Sequence, residues 1–306
     1  MDKLYDIVIV GAGPAGMTAA IYAKRAGLDV VMFENSAPGG KLVKTFEIDN
    51  WPGNPNISGV DLALQMLAHT EKLEIVTEYT GIKEVIDGKI KKVLTDDGRT
   101  FETRALIIAT GTVENKMNIP GEEQSIGRGV SFCAVCDGAF FKGKEVVVIG
   151  GGNSALEESL YLTQFATKVT IVIRRDVFRG DLLAQKAVLA HPKIEVIRKH
   201  IPLNVLITDK KVSGIRLKSV SSNETIDLKC DGIFPYIGAK ASTGFVRNLG
   251  ICEEDGYIKV NEKMETCIKG IYAAGDVIVK TLRQIVTATG DGAIAAQMAF
   301  NYIKES

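Results

Sequence analysis

The sequence predicts an α/β chain in which a doubly wound βαβ fold occurs twice, the second copy inserted in the first. Three observations lead there. Glycine-rich turns stand at Gly11-Ala12-Gly13-Pro14-Ala15-Gly16 and again at Gly150-Gly151-Gly152-Asn153-Ser154-Ala155. Each turn follows a short β-branched run and opens a helical stretch, the context in which such glycines hold a dinucleotide and do not merely bend the chain. The closing stretch, Gly270 to Tyr302, is too small to fold alone and is read as returning to complete the first copy. The fold class is therefore two Rossmann-like dinucleotide-binding domains of the three-layer ββα type, the first of them discontinuous.

Taken in order, Leu4 to Val10 reads as a buried parallel strand, Pro14 to Gly27 as a helix with proline in its first turn, and Asp29 to Phe33 as the next strand. Ile82 to Val93 and Arg99 to Ala109 read as strands broken by Asp87-Gly88 and Asp97-Gly98 turns. The βαβ unit recurs as Glu145 to Ile149, Ser154 to Phe165 and Lys168 to Ile173. A small β insertion follows in Lys193 to Arg198, Val205 to Ile207, Val212 to Val220 and Thr225 to Lys229, ending near Phe234 to Gly238. Ala239 to Gly244 reads as a linker, Gly270 to Asp276 as a last strand and turn, and Thr289 to Tyr302 as a terminal helix. The two glycine turns begin 139 residues apart, too far for a solenoid repeat and suited to two related domains.

The chain of 306 residues carries 37 Lys plus Arg against 37 Asp plus Glu, so no net field gathers nucleic acid or an anionic membrane. Charged residues interrupt every long apolar run, and the opening Met1-Asp2-Lys3-Leu4-Tyr5-Asp6 lacks the charged and apolar regions of a secretion signal. The expectation is a cytoplasmic protein with neither nucleic acid nor membrane as partner. Five cysteines do not make a disulfide scaffold at this length, which singles out the close pair Cys133-Ala134-Val135-Cys136.

Glu34 lies 18 residues past Gly16, at the end of the second strand, where a carboxylate would accept hydrogen bonds from an unphosphorylated adenosine ribose. The matched place in the second copy, 19 residues past Ala155, holds Arg174 and Arg175, with Arg179 nearby. Guanidinium groups grip a phosphate in bidentate fashion, so the second site prefers NADP over NAD. Either set of charges could be a solvated strand end, but opposite signs at matched positions favour two different nucleotides. A nicotinamide gives up hydride as an electron pair whereas a disulfide opens through thiolates, and a flavin converts between the two. FAD is therefore placed in the first domain and NADPH in the second.

Structural zinc is the alternative for the cysteine pair, yet it wants four ligands, and Cys230, Cys252, Cys267, His69, His191 and His200 are too scattered to complete a set. No metal is expected, and those three cysteines read as buried or half-buried thiols. A redox dithiol fits better, with Asp137 as its proton donor and acceptor or as a turn residue before Gly138.

The run Arg128-Gly129-Val130-Ser131-Phe132-Cys133-Ala134-Val135-Cys136-Asp137-Gly138, ahead of a second glycine-rich fold, resembles the low-molecular-weight thioredoxin reductases over essentially the whole chain. Asn50-Trp51-Pro52-Gly53, Ala109-Thr110-Gly111, Gly275-Asp276-Val277 and Arg283-Gln284 match that family's FAD-contacting segments in order. The resemblance implies a homodimer with FAD in residues 1–112 and 245–306, and with NADPH and the dithiol in residues 113–244. It implies an FAD site of Gly11, Gly13, Pro14, Ala15, Gly16, Glu34, Gly40, Lys41, Asn50, Ala109, Thr110, Gly111, Gly275, Asp276, Arg283, Gln284 and Ile285. The implied NADPH site is Gly150, Gly152, Asn153, Ser154, Ala155, Arg174, Arg175 and Arg179. By the same likeness electrons pass from NADPH through FAD to Cys136, and Cys133 attacks oxidised thioredoxin or a thioredoxin-like protein. One domain would rotate about Thr112 to Lys116 and Ala239 to Gly244.

Four places depart from that family's pattern: Lys41 for the usual Gln, Ile173 for His, Ala139 for an aromatic, and Ala241-Ser242 for Pro-Asn. They bear on the choice of NADPH and of ordinary thioredoxin. A ferredoxin-dependent flavin thioredoxin reductase is the nearer alternative, although that branch generally lacks the second fingerprint and the paired arginines. A non-enzymatic redox sensor or zinc-stapled interaction module is the alternative from a different class.

Overall fold

The computed structural model describes residues 3–45, 47–48 and 50–305. The chain divides into two compact units, Met1–Val113 with Lys240–Ser306, and Glu114–Ala239.

In the first unit, aliphatic runs form parallel strands in the order Val76–Glu78, Val30–Phe33, Leu4–Val10, Thr100–Ile108. The nine-residue strand Thr100–Ile108 is divided lengthwise between two neighbours. Its first half pairs antiparallel with Lys91–Thr95, which pairs in turn with Ile82–Ile86, and its last residues, Leu106 to Ile108, pair in parallel with the returning strand Ile271–Ala273. The chain's last segment thus completes the first unit's sheet, where Ile271 and Ala273 are fully buried. Helix Pro14–Arg25 meets the terminal helix Ile285–Glu305 at small residues: a Cβ on Gly292 would stand 2.2 Å from the Ala15 carbonyl oxygen. The terminal helix starts four residues earlier than expected because Ala288 N–H already donates to the Gln284 carbonyl and Ile285 packs with Leu42, Ile48 and Trp51.

In the second unit, four parallel strands run in the order Ile194–Arg198, Lys168–Ile173, Glu145–Ile149, Gly232–Pro235. Strand side chains alternate between faces, and both faces are apolar here. Val146 and Val148 pack with Leu156 and Leu162 of helix Asn153–Leu162 and with Val188, while Val147 and Ile149 pack with Val205, Ile215 and Leu217. Those last three belong to an antiparallel sheet of His200–Thr208, Lys211–Ser219 and Thr225–Lys229. The result is three layers of sheet, sheet and helix. Strand His200–Thr208 is longer than the expected Val205 to Ile207, since Pro202 is accommodated beside an irregularity of register between Pro202 and Asn204.

The stretch expected as a plain linker is partly a strand: Ala239–Ala241 pairs with Thr112–Glu114. Residues 240–244, expected with the insertion, fall in the first unit. The Thr110 hydroxyl donates to the Ser242 carbonyl at 2.8 Å and the Thr243 hydroxyl to the Gly256 carbonyl at 2.7 Å, which fastens them there. Among the described residues no helix is long and apolar enough to cross a membrane.

Candidate active site

The residues expected around FAD gather where the first unit's parallel strands end: Gly11 follows Val10, Glu34 follows Phe33, Ala109 follows Ile108, and Ala274-Gly275 follow Ala273. Gly11 has φ +106°, and a Cβ there would stand 2.4 Å from the Ala109 carbonyl oxygen; a Cβ on Gly16 would stand 1.8 Å from the Gly11 oxygen. Only hydrogen fits at either place. Gly13, by contrast, faces open space, and the helix opening at Pro14 has no side-chain cap. Its first free amides are therefore available to an anion, and a pyrophosphate fits this cradle. Gly40 adjoins it, its Cβ position 3.5 Å from the Gly13 Cα.

Glu34 is buried, and its carboxylate accepts from Ala12 N–H at 2.9 Å, Ser36 N–H at 2.9 Å and the Ser36 hydroxyl at 3.1 Å. Of the roughly four acceptor positions on a carboxylate, one remains for a ribose hydroxyl. The Lys41 ammonium bonds the Thr112 hydroxyl and lies 3.5 Å from the Asp276 carboxylate, which together hold it in place. Asn50 donates to the Gln284 side-chain oxygen at 3.0 Å. Arg283 donates to the carbonyls of Asp276, Lys280 and Ile278 and lies 4.3 Å from the Tyr257 ring, which fastens the loop carrying Asp276. Gly275 N–H donates to the Asp291 carboxylate at 3.1 Å, and Lys280, also largely buried, pairs with that same carboxylate.

A cleft of about 420 Å³ opens over the strand ends of the second unit, lined by Gly150, Gly151, Arg174, Arg175, Arg179 and Tyr236 among others. Gly150 has φ +141°, and a Cβ there would stand 2.1 Å from the Tyr236 carbonyl oxygen. Gly152 faces open space and its helix again lacks a side-chain cap, so a second turn of this kind leaves amides that a phosphate would fit. Ala155 stands where the first turn has Gly16 and is fully buried; Ser154 beside it is exposed. Arg179 N–H donates to the Gly151 carbonyl at 2.7 Å, and Asp181 N–H to the Asn153 side-chain oxygen at 2.8 Å, so the loop bearing Arg179 folds against the glycine turn. Among the described residues Arg174, Arg175 and Arg179 form no ion pair, and the neighbouring Asp176 is paired with Lys199 at 3.0 Å. Three exposed, uncompensated guanidinium groups make the cleft attractive to an anion.

Cys133 and Cys136 form a disulfide at the start of the one-turn helix Ala134–Asp137, with Cys133 half-buried and Cys136 exposed. Cys136 N–H donates to the Cys133 sulfur at 3.1 Å, and Cys133 N–H to the buried Ser131 hydroxyl at 3.1 Å. The Cys136 amide, aimed at the Cys133 sulfur, favours a thiolate there once the bond is opened, whereas the Ser131 contact fixes the backbone ahead of the turn. Asp137 belongs to the same turn, its N–H donating to the Cys133 carbonyl at 3.1 Å. Ala134 N–H donates to the Tyr236 hydroxyl at 3.1 Å.

Tyr236 and His200, which line the cleft, and the buried carboxyl of Glu158 are not singled out by sequence reasoning as belonging here. Tyr236 lines the cleft and caps the cysteine turn, and burial raises its phenol pKa, keeping the hydroxyl protonated. Glu158 lies on helix Asn153–Leu162, and its Oε2 is sealed from solvent with no hydrogen-bond partner among the described residues. Burial, and then the charge of Glu157, push its carboxyl up to about 8. The signal available beforehand was only a Glu157-Glu158 pair on a helix of mixed polarity.

Of the remaining cysteines, Cys230 is buried, its thiol pushed up to about 12 by burial, and Cys252 is half-buried. Cys267 is exposed, against expectation, because it sits in a bend ahead of Lys269-Gly270. Among the described residues no three His, Cys, Asp or Glu side chains gather so as to hold a metal ion.

Residues 5–292 match the family model described as pyridine nucleotide-disulphide oxidoreductase. The chain is 47% identical over 304 residues to a protein of Bacillus subtilis (strain 168) named thioredoxin reductase, covering 99% of this chain and 96% of that one. The crystal structure of Lactococcus lactis thioredoxin reductase matches with a TM-score of 0.96 at 44% identity, over 99% of this chain and 100% of that one. A ferredoxin-flavin thioredoxin reductase from Clostridium acetobutylicum matches less closely, with a TM-score of 0.55 at 33% identity over 99% of each chain. A model spanning nearly the whole sequence and full-length relatives of this identity place the chain in the pyridine nucleotide-disulphide oxidoreductase family, and within it among the thioredoxin reductases.

Proposed function

We propose that this protein passes electrons from NADPH, through FAD and the Cys133–Cys136 pair, to the disulfide of thioredoxin or a thioredoxin-like protein. The observation that carries the reading is the disulfide itself, seated in the same unit as a cleft with three guanidinium groups that form no ion pair among the described residues. FAD would be held by the Gly11 to Gly16 cradle, by the free acceptor position on Glu34, and by Lys41, Asn50, Asp276 and Gln284. When bound, a flavin supplies the conversion between hydride and dithiol electrons. NADPH would lie across the Gly150 to Ala155 turn with its adenosine phosphate among Arg174, Arg175 and Arg179.

The chain's own part is thiol–disulfide exchange. With the pair reduced, the Cys133 thiolate attacks one sulfur of the partner's disulfide, forming a mixed disulfide and releasing the other partner sulfur as a thiolate. Cys136 then attacks the Cys133 sulfur, which re-forms the bond seen here and expels the second partner thiolate. On this reading Asp137, in the same turn, would hold and return the protons that the two thiols shed. A homodimer in the cytoplasm belongs to the same reading.

Anaerobic titration of the purified yellow protein tests the donor: NADPH should bleach the flavin rapidly and NADH weakly. Bleaching by reduced ferredoxin but not by NADPH would replace this reading with the ferredoxin-dependent one. A protein holding one zinc per chain and no flavin absorbance would remove both. Cys133→Ser should still accept electrons onto FAD from NADPH and lose thioredoxin turnover, and retained turnover would overturn the role given to Cys133.

A further inference from the structure

We propose that His200 is a specificity-determining residue of the adenosine site, a fourth donor to the 2′-phosphate beside Arg174, Arg175 and Arg179. The proposal rests on the reading that this cleft takes a phosphorylated adenosine. Ile173, directly ahead of the arginines, is buried among the apolar residues on the helix side of the sheet, so that position offers no donor to the cleft's ligand. His200 reaches the same place from a neighbouring strand.

Strand Ile194–Arg198 lies beside Lys168–Ile173 with Arg198 opposite Ile173. Lys199 follows with φ +56°, a left-handed conformation that turns the chain sharply at the strand's end. Two bonds fix that corner to the arginine segment: Lys199 N–H donates to the Arg175 carbonyl at 3.3 Å, and its ammonium pairs with Asp176 at 3.0 Å. His200 is thereby delivered to the wall of the cleft that holds Arg174, Arg175 and Arg179. The same ion pair answers the one acid within the arginine run, so Asp176 does not oppose an incoming anion.

The orientation of the ring follows from its hydrogen bond to the end of the preceding strand. His200 Nδ1 lies 2.7 Å from the Arg198 carbonyl oxygen, which can only accept, so Nδ1 carries a hydrogen. Nε2 is the nitrogen left for a ligand, and in the charged ring it offers an N–H to a phosphate oxygen. Ile201, Pro202 and Met117 continue the wall as apolar surface against which a base can lie.

The test uses the oxidised holoenzyme and two probes, 2′,5′-ADP and 5′-AMP, titrated by calorimetry. His200→Phe keeps a flat ring and removes both nitrogens. It should weaken 2′,5′-ADP about tenfold, the scale of one charge-assisted hydrogen bond, and 5′-AMP by no more than about twofold. Equal weakening of the two probes, or an unchanged affinity for 2′,5′-ADP, overturns the proposal. His200→Gln, which can still donate one hydrogen bond, should fall between wild type and His200→Phe; a Gln variant as weak as the Phe variant overturns the donor role. Arg174→Ala with Arg175→Ala serves as reference. If that pair of changes abolishes discrimination while His200→Phe retains it, His200 alone is refuted; a wild type that binds both probes equally refutes the phosphate reading along with it.

Discussion

The buried carboxyl of Glu158 makes the folding of this chain dependent on pH in a way that one substitution should erase. Its folded value of about 8 stands against an ordinary 4.5, so folding takes up a proton across the interval between them. The sign follows from linkage: a raised folded value contributes stability that is complete below about pH 4.5 and is lost as pH rises through about 8. At about 1.4 kcal/mol per unit, the loss is of the order of 3 to 5 kcal/mol, an upper bound because water and side-chain relaxation relieve part of the charge. Glu158→Gln keeps the size and is neutral throughout. Urea unfolding of both proteins, followed by circular dichroism at intervals between about pH 5 and 9, should show the variant gaining on wild type up to about pH 8 and the difference levelling off above it. Tyr161 and Tyr236 also have raised values and stay protonated over this range, so their effect cancels in the difference. A difference that stays flat across the range would show that Glu158 is ionised or solvated in the folded protein and would refute the argument.

Other perturbations separate packing from chemistry. Gly292→Ala sets a methyl 2.2 Å from the Ala15 carbonyl oxygen, where backbone must move, and should cost about 1 to 3 kcal/mol and loosen FAD retention, measured by flavin content after dialysis. Lys280→Ala leaves Asp291 buried without its partner and should cost about 3 to 5 kcal/mol in thermal unfolding, with much of the loss recovered when Asp291→Asn is added. A double variant as unstable as the single would mean the pair does not act as one. Replacing Arg174, Arg175 and Arg179 together with alanine should raise KM for NADPH about a hundredfold while changing KM for NADH little; matched changes would sink the 2′-phosphate site.

The parallel strands are legible in the sequence because both of their faces are covered, so Glu145 to Ile149 and Lys168 to Ile173 appear as unbroken β-branched runs that coincide with the observed strands. Helix Gly59–Lys72 is missed, although its start is written plainly: the Ser58 hydroxyl accepts from Asp61 N–H and the Asp61 carboxylate answers it. Pro202 conceals most of a strand that tolerates it at an irregular register. Cys133 and Cys136 announce themselves by spacing, and the glycine turns by context. Tyr236, Glu158 and His200 do not, because what distinguishes each is burial or a neighbour brought from a distant part of the sequence.

The two glycine turns reach the same backbone solution by the same route. Gly11 abuts the carbonyl of Ala109 and Gly150 the carbonyl of Tyr236, each just past the strand that pairs on the far side. The side chains that would distinguish the nucleotides are anchored very differently. Glu34 accepts a hydrogen bond from Ala12, whose amide lies inside the glycine turn and whose residue is wholly buried, so exchanging Glu34 for a basic residue would strand that amide at a cost of about 1 to 3 kcal/mol before any ligand is considered. Arg174, Arg175 and Arg179 are exposed and form no ion pair among the described residues, so the fold places no comparable penalty on their replacement. On the proposed assignment, preference for the flavin nucleotide is built into the folding of the first unit, whereas preference for the phosphorylated nicotinamide nucleotide is carried on the surface of the second. Changes of donor should therefore be reachable by substitution at 174, 175, 179 and 200 with little loss of stability, and changes at 34 should not.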